Sequence, residues 1–323
     1  MKPRIIYMGT PEFAVAPLEA ILNSGYEVAA VVTVPDKPSG RGLKLNESAV
    51  KQFAVSKGLD VLQPVSLKDP DFLSALESYN ADLFIVVAFR MLPKVVWSMP
   101  KMGTFNLHGS LLPKYRGAAP INWAIINGEK NTGVTTFFID EKIDTGNILM
   151  RESTEIGECE NVGSLYERLM SIGANLVVKT VEGISNNTLT PKPQSDFEEG
   201  VCEAPKLTKE LCRINWEKDA VEIDRLIRGL SPYPAAFSTI SNSDKNFDIK
   251  IYDVTPIVDN TQAGNIDENS IGTIKTDNKN YIHIKCGKGV ISLNEIQLAG
   301  KKRMKVKEFL LGFRNIGDYK FIQ

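Results

Sequence analysis

Histidine is almost absent from this chain: His108 and His283 are the two in 323 residues. A site that needs several imidazoles around a metal is therefore excluded, and no metal is expected. The four cysteines, Cys159, Cys202, Cys212 and Cys286, are scattered and make no C-x-x-C pair. That removes thiolate clusters and suits reduced thiols in a cytoplasmic protein. There is no HExxH helix and no GxxxxGK[ST] loop, and the first strand-like run leads into "GTPEF" rather than G-x-G-x-x-G. A phosphate-cradling loop and a dinucleotide fingerprint are both missing. No apolar run reaches the length of a membrane span, and "MKPRIIYMGTPEF" has too short an apolar core for a secretory signal. No membrane partner is expected.

Charge of one sign is not in excess overall, since the net charge is −1, but it is unevenly placed. Residues 299–323 carry seven Lys/Arg against two acids, and residues 35–51 carry four against two. Such asymmetry suits either a nucleic-acid face on a neutral body or a solvated lysine surface.

The first 150 residues alternate strand-like and helix-like segments. "RIIYMG" (4–9), "YEVAAVVTV" (26–34), "ADLFIVVAF" (81–89), "GTFNLH" (103–108) and "GVTTFFID" (133–140) read as strands. Helical patterns run over 11–23, 48–57, 71–79 and 162–185, and Pro120 opens another. Strands alternating with helices predict an α/β fold with a doubly wound, mostly parallel sheet. "NNTLTPKPQSDFEEGVCEAP" is polar with three prolines and reads as a linker. Beyond it, short β-type runs separated by Gly/Asn/Asp turns predict a small β-barrel. The expected division is a catalytic domain over 1–190, a linker over 191–207 and a C-terminal barrel over 208–323.

Asn106 and His108 lie two apart at the end of one strand, so in extended backbone they point to the same side. Ligands of open α/β sheets bind beyond the carboxyl ends of strands. Asp144 follows in a D-T-G loop between two apolar segments. An amide, an imidazole and a carboxylate together suit attack on a carbonyl without a Ser or Cys nucleophile. Asn and His donate to the developing oxyanion, and Asp144 takes a proton, directly or through water, and can hold His108 in its donor form. A satisfied polar strand end and an ordinary turn would carry the same residues.

"FNLHGSLLPKYRGAAPINWAIINGEKNTGVTTFFIDEKIDTGNIL" (105–149) resembles the signature of the 10-formyltetrahydrofolate-dependent formyltransferases, with Asn-x-His, Ser-Leu-Leu-Pro and a distal Asp-x-Gly in the family's order. The resemblance implies a formyltransferase-type Rossmann-like domain and a C-terminal barrel that is OB-like. It implies 10-formyltetrahydrofolate as co-substrate and gives Asn106, His108 and Asp144 the catalytic roles. It gives folate contact to Ser110, Leu111, Leu112 and Pro113, with Val87 and Phe89 at the wall of the pterin site. Phe89-Arg90 stands where the family often has Tyr-Gly.

"GTPEFA", "PDKPSGRGLKL", "APKLTKELCRINW", "IRGLSPYPAAF" and "AGKKRMKVKEFL" extend the likeness from about Arg4 to Phe313. They resemble the branch of the family that formylates methionine on initiator tRNA, and imply that partner with no obligate protein partner. Residues 35–47, doubled back, would project a tip of roughly 20 Å as a loop with no fixed element. Lys37, Arg41 and Lys44 in that insertion, and Lys301, Lys302 and Arg303 near the end, are the expected tRNA contacts. Formylation of another amine, on a purine precursor or a nucleotide sugar, and an RNA-binding module with a dead folate site are the alternatives. The basic insertion and the barrel argue against the purine enzyme, and the intact triad argues against the dead site.

Overall fold

The computed structural model describes residues 2–39, 44–197, 200–258 and 270–322. The chain forms two compact units. Met1–Pro120, Asn131–Glu155 and Tyr166–Pro205 make the first; Ile121–Lys130, Ile156–Leu165 and Lys206–Gln323 make the second.

In chain order the strands up to residue 205 are β1 (Arg4–Gly9), β2 (Glu27–Val32), β3 (Lys37–Ser39), β4 (Lys44–Asn46), β5 (Val61–Leu62), β6 (Leu83–Val87), β7 (Thr104–His108), β8 (Lys114–Gly117), β9 (Asn131–Phe138), β10 (Ile148–Glu155) and β11 (Cys202–Ala204). The helices are α1 (Val15–Asn23), α2 (Ala49–Ser56), α3 (Pro70–Ser78), α4 (Lys94–Trp97), α5 (Pro120–Ile126) and α6 (Val162–Ser185). The main sheet runs β10-β9-β7-β6-β1-β2-β5. Its strands from β5 to β7 are parallel, and β9 and β10 close one edge antiparallel.

The apolar runs explain the order. Ile5, Ile6, Tyr7 and Met8 in β1 are fully buried, as are nearly all of Leu83–Val87 in β6. Strands covered on both faces must be apolar at every position, and these occupy the middle of the sheet. α2 and α3 start where side chains can take up free N–H groups. Ser48 Oγ accepts from Lys51 N, and Asp69 accepts from Asp71 N and Phe72 N with Pro70 in the first turn. Such caps stabilise a helix by about 1 kcal/mol each.

Two connections differ from the sequence reading. The basic insertion is a two-stranded ribbon, β3 against β4, rather than a loop with no fixed element. Its base is tied down: Asp36 receives the Lys51 ammonium and Gln63 Nε2 (2.8 Å). The bonds from Lys51 and then Gln63 hold the Asp36 carboxyl below its ordinary range. Arg41 lies outside the described residues. Within the stretch read as a linker, expected over 191–207, the chain carries a 3-10 turn at Gln194–Asp196 and the strand β11, which pairs parallel with β8.

In the second unit, α7 (Ala220–Leu230) precedes β12 (Ala236–Ser241), β13 (Asn246–Ile257), β14 (Ile274–Thr276), β15 (Ile282–Lys285), β16 (Val290–Leu298), β17 (Met304–Lys305), α8 (Val306–Gly312) and β18 (Lys320–Ile322). The antiparallel order is β14-β15-β16-β13-β12-β18, with β17 on β16. An isolated bridge between Thr273 and Lys320 links the two ends, so the sheet is nearly closed and barrel-like, as expected. A capping box of Asp219 and Glu222 starts α7, which buries Ile223, Ile227 and Leu230. Residues 121–130 pack with this unit: Asn122 Nδ2 donates to Gly229 O (2.8 Å). No helix among the described residues is long and apolar enough to cross a membrane.

Candidate active site

β7 ends at His108, at the carboxyl end of the parallel run. Leu107 turns toward α6, where Gly173 makes room: a Cβ there would come within 2.8 Å of Leu107 Cδ2. Alternation along the strand sends Asn106 and His108 to the opposite side. Asn106 is half-buried and its amide has no hydrogen-bond partner among the described residues. That leaves it free to donate to a ligand.

His108 and Asp144 are held on both sides by β8. His108 Nε2 lies 2.8 Å from Tyr115 O. A carbonyl only accepts, so Nε2 carries the proton and Nδ1 is the ring atom left for chemistry. Nδ1 is 3.7 Å from Asp144 Oδ2, beyond hydrogen-bond distance but close enough to form an ion pair on protonation. Asp144 Oδ2 accepts from Gly117 N (2.9 Å). The side chains are 7% and 14% exposed, so water screens the pair weakly.

The D-T-G loop needs its sequence. Asp144 has φ 53°, in the left-handed region that Asp tolerates better than most residues. A Cβ on Gly146 would lie 1.7 Å from Phe138 O, so only glycine fits. The loop is also gripped by Gln194, which was not singled out from the sequence. Gln194 Nε2 donates to Asp144 O (2.8 Å) and Gly146 O (3.0 Å). Its Oε1 accepts from Arg116 Nε (3.1 Å) and Nη2 (2.6 Å).

The Ser-Leu-Leu-Pro turn is locked from within. Ser110 Oγ donates to Lys114 O (2.6 Å), and Thr135 Oγ1 donates to Ser110 O (2.7 Å) while accepting from Leu112 N (3.1 Å). Ser110, Leu112, Pro113 and Val87 are buried, whereas Leu111 and Phe89 are half-buried. Only Leu111 and Phe89 of these six leave side-chain surface exposed. Arg90 donates to Val65 O (3.0 Å) and Pro64 O (2.8 Å) and lies over the Phe89 ring, so it ties Phe89 to the 64–65 segment. Burial lowers its pKa.

The expected tRNA contacts are exposed where described. Lys37 stands on β3, and Lys301 and Lys302 stand in the turn between β16 and β17. Arg303 is engaged: it donates to Glu295 Oε2 (2.5 Å) and lies 4.2 Å from the Tyr252 ring centroid.

Comparison with known proteins matches this architecture. The formyl transferase model covers residues 1–181, and the formyl transferase C-terminal domain model covers 206–314. The chain is 49% identical to a methionyl-tRNA formyltransferase of Parabacteroides distasonis, over 98% of this chain and 97% of that one. It is 50% identical to one of Flavobacterium johnsoniae, over 96% of each. Among solved structures, WlaRD, a sugar 3N-formyl transferase, superposes with TM-score 0.62 at 21% identity over 94% of this chain and 100% of that one. HypX from Aquifex aeolicus, in complex with tetrahydrofolic acid, superposes with TM-score 0.61 at 19% identity; this chain is 97% covered and spans 47% of HypX. The fold, the strand-end Asn-x-His and the two matched models agree, and the chain belongs to the formyl transferase family.

Proposed function

We propose that this protein transfers the formyl group of 10-formyltetrahydrofolate to the α-amine of methionine on charged initiator tRNA, in the cytoplasm. The products are N-formylmethionyl-tRNA and tetrahydrofolate. The observation that carries the reading is 46–50% identity along nearly the whole chain to proteins named methionyl-tRNA formyltransferase. The closeness of His108 to the Asp144 carboxylate, at the end of the strand that also carries Asn106, supports it.

The amine attacks as the free base, and an α-amino pKa of about 8 makes that form available near neutrality. As the nitrogen bonds to the formyl carbon, the oxygen becomes anionic. The Asn106 amide donates to it, and a protonated His108 Nδ1 sets a positive charge beside it. Asp144 balances that charge. Well-placed donors of this kind are worth about 3 kcal/mol each. Asp144 then accepts the proton of the attacking amine, directly or through water. Asp144 returns that proton to the folate N10, which leaves as the secondary amine of tetrahydrofolate, so the exchange balances. Leu111 and Phe89 meet the folate, and the buried Ser110, Leu112, Pro113 and Val87 keep the wall in place. Lys37, Arg41, Lys44, Lys301, Lys302 and Arg303 attract the tRNA phosphates.

The test is a choice of acceptor. The protein is offered 10-formyltetrahydrofolate with methionyl-initiator tRNA, a glycinamide ribonucleotide or an amino-sugar nucleotide. Formylation of the charged tRNA alone is expected; turnover of either nucleotide in its place would overturn the reading.

A further inference from the structure

Gln194 is the polar side chain most fully used around the Asp144 loop. It is 6% exposed and comes from a segment whose composition suggests a linker. Its amide orientation is fixed by chemistry. Arg116 only donates and the carbonyls of Asp144 and Gly146 only accept, so Oε1 faces the guanidinium and Nε2 faces the loop. The two loop carbonyls bracket Thr145, so one amide fixes both ends of the turn that presents the carboxylate.

β8 completes the arrangement with three consecutive residues. Tyr115 O accepts from His108 Nε2, Arg116 holds Gln194, and Gly117 N–H donates to the Asp144 carboxylate. The ring of contacts runs from Gly117 to Asp144, through Gln194 to Arg116, and back along the chain to Gly117. β11 braces the same strand, and Gly117 lies so close that a Cβ there would meet Ala204 O at 2.6 Å. The left-handed backbone of Asp144 would relax without such restraint.

We propose that Gln194 is a positioning residue: it sets the Asp144 carboxylate against His108 by clamping the Asp144 and Gly146 carbonyls, with Arg116 fixing its amide. The proposal rests on the catalytic reading of Asp144 given above. Gln194 touches neither substrate in this account, so its removal acts on turnover and not on binding.

The test measures kcat and both KM values of the full chain with 10-formyltetrahydrofolate and methionyl-initiator tRNA. Gln194→Ala is expected to lower kcat ten- to a hundredfold with both KM values within threefold. Gln194→Glu keeps the shape but removes the donor and sets a negative charge on two carbonyls; it is expected to lose at least as much. In an Asp144→Asn background the cost of Gln194→Ala is expected to shrink to within twofold, because the carboxylate it positions is gone. Equal costs in both backgrounds, a change confined to KM, or full activity in Gln194→Glu would overturn the proposal. Should the Gln194 variants fail to fold, Arg116→Met tests the same clamp from outside the loop. A three- to tenfold loss in kcat is expected, and an unchanged kcat overturns it. Full turnover in Asp144→Asn alone would overturn the catalytic reading and this proposal together. Loss in Asp144→Asn beside full activity in Gln194→Ala would overturn this proposal alone.

Discussion

The residues at the end of β7 and the cations of the ribbon and barrel turn live in opposite physical regimes. His108 and Asp144 are almost fully buried, each tied to backbone of β8 at 2.8 or 2.9 Å. Lys37, Lys301 and Lys302 are exposed on a short ribbon strand and a hairpin turn. Formyl transfer needs donors fixed before the oxyanion forms, since reorganising them during reaction would raise the barrier. Attraction of a polyanion needs only charge on the surface, and it weakens with salt. In the proposed reaction, the first region sets turnover and the second sets encounter.

The largest break in this contrast is Asp144→Asn. It keeps the shape and the Gly117 contact through the amide oxygen but removes the proposed base and the carboxylate beside His108. A loss in kcat of about a thousandfold is expected, with little change in KM for tRNA, measured by steady-state formylation. Next is Gly146→Ala, whose Cβ would sit 1.7 Å from Phe138 O. The loop must move, so kcat falls at least tenfold and the fold loses about 2 kcal/mol, read from urea unfolding.

The double variant Lys301→Ala/Lys302→Ala tests the other region. KM for tRNA is expected to rise several-fold at physiological salt, kcat to hold, and the salt slope of kcat/KM to flatten by about one to two.

The smallest effect is expected from Glu295→Gln. Its bond from Arg303, then the nearby charges, hold the Glu295 carboxyl below its ordinary range. A carboxyl depressed in the folded state contributes stability above its unfolded pKa, about 4.3, and loses it as pH falls through the folded value. Glu295→Gln should flatten that acid limb by no more than about 1 kcal/mol, because Arg303 is 39% exposed. It also weakens the hold on Arg303 without removing the acceptor, so KM for tRNA should fall slightly.

Much of this was legible in the sequence where one local pattern determines one feature. Continuous apolar runs located β1 and β6, and a 3.6-residue repeat located α6 at Val162–Ser185. Spacing of two placed Asn106 and His108 on one side of a strand. Gln194 was not legible, because its partners lie 50 and 78 residues away and a Pro-rich polar stretch looks the same whether it is solvated or buried. β11 has three residues, too few for any periodicity to register. The ribbon was hidden by its Pro and Gly content, which suits a loop equally well. Residues 121–130 pack with the second unit through Gly229 and Ile126, a non-local fit that no run of residues announces.

The most direct measurement is kcat and kcat/KM for formylation of methionyl-initiator tRNA across a series of salt concentrations, for the unaltered chain and for Asp144→Asn. kcat/KM is expected to fall with salt in both proteins with the same slope, while kcat stays flat with salt and is about a thousandfold lower in Asp144→Asn. A kcat that itself falls with salt, or an Asp144→Asn protein that turns over at the unaltered rate, would contradict the separation of chemistry from attraction.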